Sequence, residues 1–154
     1  MPESAAIRRG AVLAFDFGEK RIGVAVGEYE LTQAHPLTTI RSEVNRERFS
    51  TISALIEEWK PATLVVGLPV ALDGSPHEMT ARCTRFANQL RGRFGVPVAY
   101  AEERLSSVEA EEKLRGSGLD SRNARTHIDE IAAQIILQSY FEHLPKDRTE
   151  LPCP

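Results

Sequence analysis

Residues 12–26 read VLAFDFGEKRIGVAV: one carboxylate, Asp16, interrupts an apolar run that turns at Gly18 and resumes as a second apolar run from Ile22. Two such runs about a glycine turn predict an antiparallel hairpin. An unpaired buried carboxylate costs several kcal/mol or is driven neutral, so one kept at a strand end calls for a facing cation, donors or a metal. The blander reading is a turn aspartate bonded to its own backbone.

Outward from the hairpin, Leu37 to Ile40 predicts a third strand and completes an antiparallel meander. Phe49, Ile52, Leu55, Ile56 and Trp59 share one helical stripe, with Asn45 as N-cap and Pro61 as stop. Thr63 to Leu68, TLVVGL, is the short apolar run of a central parallel strand, closed by Pro69. After a loop from Val70 to His77, Met79, Cys83, Phe86, Ala87 and Leu90 mark a second helix whose other face carries Arg82, Arg85 and Gln89. Gly92 and Gly95 punctuate the chain before a last strand, Val96 to Ala101, which delivers Glu102 and Glu103.

Ser106 to Glu109 matches a capping box for a helix through Leu114, ended by Gly116. A final helix starts at Thr126 to Asp129, putting Asp129 in its first turn, where the macrodipole alone would favour a carboxylate. It runs to Phe141, with Ile128, Ala132, Ile135 and Ser139 facing inward and Ile131 and Ile136 flanking them. The order of elements predicts an α/β fold: a mixed five-stranded sheet with helices on both faces, in ribonuclease H-like order. There the first strand is central, so Asp16 can approach the end of a neighbouring strand and the start of a docked terminal helix, the places of Glu103 and Asp129.

With 154 residues, 42% of them hydrophobic and 27% charged, the chain suits one globular domain, expected over residues 11–143 between a flexible segment, 1–10, and a polar, Pro-rich tail, 144–154. Cys83 and Cys153 are too few and too far apart for a disulfide framework or a thiolate metal site, which suits a reducing, cytoplasmic setting. Neither a signal-peptide core nor a membrane-length apolar run occurs. The net charge of −3 argues against a surface coated for non-specific nucleic-acid binding. Its distribution is uneven: Met79 to Ala101 has Arg82, Arg85, Arg91 and Arg93 and no acid, while Glu102 to Glu112 holds five glutamates.

Four segments, AFDFGEKRIGVAVG, VVGLPVALDGSP, RFGVPVAYAEERLSSVEAE and HIDEIAAQIILQSYF, occur in the order seen in the bacterial YqgF family, which the chain resembles from Ala11 to Phe141. The resemblance implies a ribonuclease H-like fold and a metal-dependent nuclease that processes the 5′ end of pre-16S ribosomal RNA, with similarity to Holliday-junction resolvases. On the matching motifs, Asp16 is the first-strand aspartate, Glu103 the glutamate before Arg104-Leu105-Ser106, and Asp129 the aspartate opening the last helix. Glu19, Ala71 and Glu102 stand where Thr or Ser, Asn, and Asp are common in that family. In the similar resolvases a catalytic glutamate belongs to the earlier strand; here that strand ends Val66-Gly67-Leu68, with no carboxylate before Asp73.

Phosphodiester hydrolysis suits such a triad, because two Mg²⁺ or Mn²⁺ ions about 3.5–4 Å apart can activate water and offset leaving-group charge. Carboxylates and substrate phosphate oxygens are the ligands that such ions take. Asp16, Glu103 and Asp129 are therefore the expected catalytic and metal-binding residues, with Glu102 the alternative if the last strand faces the other way. Lys20, Arg21, Arg82, Arg85 and Arg104 are the expected nucleic-acid contacts, although charged hairpin tips and helix faces are often merely solvated and Arg104 also suits an ion pair with its neighbour. Gly67, Pro69, Asp73 and Gly74 read first as backbone-shaping residues. His35, His77, His127 and His143 lack close metal-ligand spacing.

Expected partners are structured RNA or branched DNA and no membrane, with the protein a monomer or weak homodimer. Two other functions compete. The D-x-G hairpin also resembles the phosphate turn of actin-like ATPases, but no second such hairpin supplies the duplicate lobe that those folds need. A non-catalytic RNA- or DNA-binding module would work through the arginine-bearing helix and leave Asp16 dispensable.

Overall fold

Alternation along β1 (Ala11–Phe17) sorts its side chains into two layers: Leu13 and Phe15 enter one core, Val12 and Ala14 the other, all four fully buried. The structure, a computed structural model, describes residues 9–71, 73, 78–105 and 122–144, with residues 71, 104, 105 and 122–127 described by backbone only. The terminal segment and tail, the loop glycine Gly74, His77 and the expected helix from Ser106 to Leu114 lie outside the described residues.

β2 (Ile22–Glu28) and β3 (Gln33–Ile40) complete the antiparallel meander, and α1 (Asn45–Trp59) leads to β4 (Thr63–Ala71), parallel to β1. α2 (Glu78–Phe94) crosses to β5 (Val98–Leu105), parallel to β4, and α3 (Arg122–Glu142) closes the order of elements. The sheet runs β3-β2-β1-β4-β5, the mixed five-stranded, ribonuclease H-like arrangement with β1 at its centre. α1 and α2 cover one face through Phe49, Ile52, Met79, Cys83, Phe86 and Leu90. α3 covers the other through Ala133, Ile136, Leu137 and Phe141.

Four local expectations are corrected. Pro69 does not close β4 but lies within it, its carbonyl accepting a hydrogen bond from the Thr80 hydroxyl. Pairing with β1 ends at Val66, so beyond it one side of β4 is an edge that needs no proline N–H. Asn45 is the first helical residue of α1 rather than its N-cap; the cap position is Val44, whose N–H donates to Ser42 Oγ at 3.0 Å while Ser42 donates to Glu47 Oε1 at 2.6 Å. Gly92 is inside α2, and the chain turns instead at Gly95, with φ 68°.

The fourth correction concerns α3. Ile128, Ile131 and Ile135 are exposed at 45%, 46% and 62%, and the buried stripe is Ala133, Ile136, Leu137 and Phe141. Both stripes are apolar, so periodicity could not choose between them. The choice is made by polar anchors and by the small residues of the sheet. Gln134 Nε2 donates to Ala34 O (3.1 Å), and Gln138 accepts from Ala34 N (3.0 Å) and donates to Thr32 O (3.1 Å), clamping α3 to β3. The Tyr29 hydroxyl, 2.8 Å from both Thr63 Oγ1 and the Tyr140 hydroxyl, fixes the far end.

Arg48 is the one buried charged side chain of the described core, 4% exposed. Its Nε donates to Ser42 O and its Nη2 to Gly18 O (2.8 Å) and Glu19 O, so it ties α1 to the β1–β2 turn. Burial pushes its guanidinium below the ordinary arginine range, an effect that the Glu43 carboxylate opposes. Arg48→Met keeps the bulk and removes those donors. It is expected to cost about 2–4 kcal/mol in urea denaturation, because three part-buried main-chain bonds lose their charged donor.

Candidate active site

Two glycines flank Asp16. Gly23 lies directly opposite it on β2, and Gly67 follows Val66, the partner of Phe15 on β4. Asp16 continues the Val12–Ala14 side of β1, the side covered by α3. A Cβ at Gly23 would overlap the main-chain carbonyl of Asp129, and one at Gly67 would sit 2.5 Å from Ile136 Cδ1. The missing side chains thus let α3 lie directly on the sheet across Asp16, with Asp129 over β2 and Ile136 over β4.

Glu103 reaches the same place from β5. Ala101, paired with Gly67, is buried against α3, and Glu103 two residues later faces the same way. Its carboxyl carbon lies 3.6 Å from where a Gly67 Cβ would be, whereas Glu102 is exposed. Asp16, Glu103 and Asp129 therefore turn to one face at one end of the sheet, Glu103 on the β4–β5 side and Asp129 on the β2 side. Asp129 is not in a first helical turn: α3 begins at Arg122, so the macrodipole does not account for the carboxylate.

Arg21 Nε donates to Asp129 Oδ2 at 2.8 Å, with both side chains about one-fifth exposed or less (17% and 20%). Among the described residues no three of His, Cys, Asp and Glu stand close enough together to hold a metal ion. The donor chemistry suits a hard divalent cation, but Asp129 is matched with a guanidinium instead.

The other basic residues are spread out. Lys20 is exposed at the hairpin tip, and Arg104 lies in β5 opposite Val70, its side chain outside the described residues. Arg82 on α2 forms an ion pair with Glu19, so the Glu19 carboxylate is turned toward α2. Arg85, exposed on the same helix, forms no ion pair among the described residues. Arg82 and Arg85 stand on the α1–α2 layer, opposite the carboxylates. Sequence reasoning did not single out Arg48 or Phe17, which line a cavity with Arg82 and Arg85; for Arg48 the signal was a charge four residues before Ile52 on the inner stripe of α1.

No helix among the described residues is long and apolar enough to cross a membrane. A family model described as "RuvX: Holliday junction resolvase" matches residues 10–143. A protein of Methylobacillus flagellatus named "Putative pre-16S rRNA nuclease" is 56% identical over 144 residues, 94% of this chain and 99% of the relative. One of the same name from Dechloromonas aromatica is 56% identical over 133 residues, 86% of this chain and 91% of the relative. Among solved structures, T. thermophilus RuvC in complex with a Holliday junction substrate aligns over 86% of this chain and 93% of its own, at 19% identity and a TM-score of 0.47. Matched over nearly its whole length by the family model and at more than half of aligned positions by these relatives, the chain belongs to the RuvX family.

Proposed function

We propose that this protein is a nuclease that hydrolyses phosphodiester bonds in RNA and trims the 5′ end of pre-16S rRNA in the cytoplasm, with Asp16, Glu103 and Asp129 as its catalytic carboxylates. One observation carries the reading: carboxylates from β1, β5 and α3, distant in the chain, face the same end of the sheet about two glycines. The names of the relatives support the substrate. Hard oxygen donors of this kind suit Mg²⁺ or Mn²⁺. When bound, such ions supply an activated water and charge compensation on the leaving oxygen.

The chain's own residues do the rest. Asp16 and Glu103 offer oxygen ligands on the β1–β4–β5 side. Arg21 engages one oxygen of Asp129, Oδ2, and a substrate phosphate is an anion that can draw Arg21 away and leave the whole carboxylate to an ion. Arg21 thus balances Asp129 in the free protein and the polynucleotide backbone in the complex. Lys20, exposed beside it, adds positive charge on the same approach.

The test is a matched pair of substitutions assayed on a transcript spanning the 16S 5′ end, with Mg²⁺ or Mn²⁺ and with EDTA. Glu103→Gln is expected to lower cleavage by about 10²-fold or more, and Glu102→Gln to stay within about twofold of the parent. Equal losses, or cleavage surviving EDTA, would overturn the assignment. A second reading, resolution of branched DNA, is favoured by the family description, and a four-way junction in the same assay separates the two.

A further inference from the structure

Phe17 follows Asp16 and points to the opposite face of the sheet, so the end of β1 presents a carboxylate to one side and an aromatic ring to the other. On the Phe17 side the structure has a cavity of about 320 Å³ between α1, α2 and the end of β1. Its apolar wall is Phe17, Phe49 and Phe86, with Phe17 and Phe49 ring centroids 4.7 and 6.1 Å from that of Phe86. Its polar lining comes from three arginines, 48, 82 and 85, and from the amides of Asn45 and Gln89.

This mixture is unlike either a core or a simple anion site. Phosphate needs guanidinium groups but no phenylalanine wall, and a packing defect needs no arginines. A nucleotide uses all of it: a flat base packs on aromatic rings and guanidinium planes, amide groups meet the base edge, and an arginine takes the phosphate. The volume is at the low end of the roughly 300–1,000 Å³ common for small-ligand pockets, room for one nucleotide and not for a base pair.

The arginines have separate tasks. Arg48 is buried and held by three main-chain carbonyls through Nε and Nη2, with its guanidinium carbon 5.4 Å from the Phe17 ring centroid, so it braces Phe17 at the back of the cavity. Arg82 is matched by Glu19. Arg85, exposed and without an ion pair among the described residues, is the group open to a phosphate.

We propose that this cavity holds one unpaired nucleotide of a single-stranded polynucleotide, its base against Phe17, its edge toward Asn45 or Gln89, and its phosphate on Arg85. The proposal rests on the polynucleotide reading above and extends it: the strand passes from the carboxylate face over the Gly18–Lys20 turn, so the enzyme selects substrates with an unpaired nucleotide close to the cleaved bond.

The experiment is an amide NMR titration of full-length protein in EDTA, with uridine 5′-monophosphate, ribose 5-phosphate and inorganic phosphate as separate probes. The nucleotide is expected to shift the amides of Asn45, Arg85 and Gln89 and to bind at least about tenfold more tightly than ribose 5-phosphate. Arg85→Ala is expected to weaken nucleotide binding severalfold with the melting temperature unchanged, since the side chain is exposed. Equal affinity for nucleotide and ribose 5-phosphate would reduce the cavity to an anion site and overturn the proposal. So would an absence of shifts in these residues, which would leave the cavity to a protein partner. Cleavage is read separately, in the Mg²⁺ or Mn²⁺ transcript assay above, so the outcomes separate: nucleotide binding in EDTA with no cleavage in that assay sinks the nuclease reading alone, and cleavage there without nucleotide binding sinks the cavity alone.

Discussion

Asp16→Asn is expected to lower single-turnover cleavage by about 10³-fold or more, a loss of about 4 kcal/mol in transition-state stabilisation. Asparagine keeps the size of the side chain and leaves the main-chain pairing of position 16 with Gly23 in place, so the sheet is not asked to change. What it removes is the charge. A neutral amide is a poor ligand for a hard cation, and Asp16 lies on the central strand, with Glu103 to one side and Asp129 to the other. RNA affinity is expected to hold or rise, because a negative charge has gone from the path of a polyanion. Cleavage rate, thermal melting and filter binding on one preparation check all three statements. An unchanged rate would make the site a binding surface and favour the non-catalytic alternative.

Gly23→Ala is expected to cost about 2–4 kcal/mol, seen as a fall in melting temperature of roughly 5–15 °C. The added methyl would overlap the main-chain carbonyl of Asp129, and main chain cannot turn aside as a flexible side chain can. α3 must lift, and its lift strains the Gln134 and Gln138 clamps on β3 and breaks the 2.8 Å Arg21–Asp129 contact. Activity is expected to fall with stability even though no charged group has been changed. Gly92→Ala is the control: nothing lies within 4 Å of its Cβ position and it is inside α2, so alanine there is expected to be neutral or to stabilise by about 0.5–1 kcal/mol. Differential scanning calorimetry of the two variants beside the parent decides the matter.

The hairpin, the meander and the order of strands were legible because each rests on local signals: a glycine turn, apolar runs and a proline after a helix. The convergence of Asp16, Glu103 and Asp129 on one face could be anticipated only through topology and family motifs, since no spacing in the chain relates residues 16, 103 and 129. Which of Glu102 and Glu103 faces α3 depends on strand parity, and Ala101 against α3 puts Glu103 on that side. The inner stripe of α3 was misread because Ile128, Ile131 and Ile135 are as apolar as the residues that are buried; glutamine bonds to β3 and close approach at Gly23 and Gly67 decide it. Arg21 was read as a substrate contact, yet its partner in the free protein is Asp129, more than a hundred residues away. The phenylalanine and arginine cavity was invisible for the same reason, being assembled from β1, α1 and α2.

The glutamine clamps also guard the rim of the sheet. β3 is one of its two edge strands, and the N–H and C=O of Ala34 are both engaged by α3 side chains, leaving an incoming foreign strand little to grip at that point. Pro36 further along the same strand offers no N–H. Release of the terminal helix would therefore do more than free Asp129 from the sheet: it would unmask a sticky border, so partial unfolding at this end should be followed by self-association.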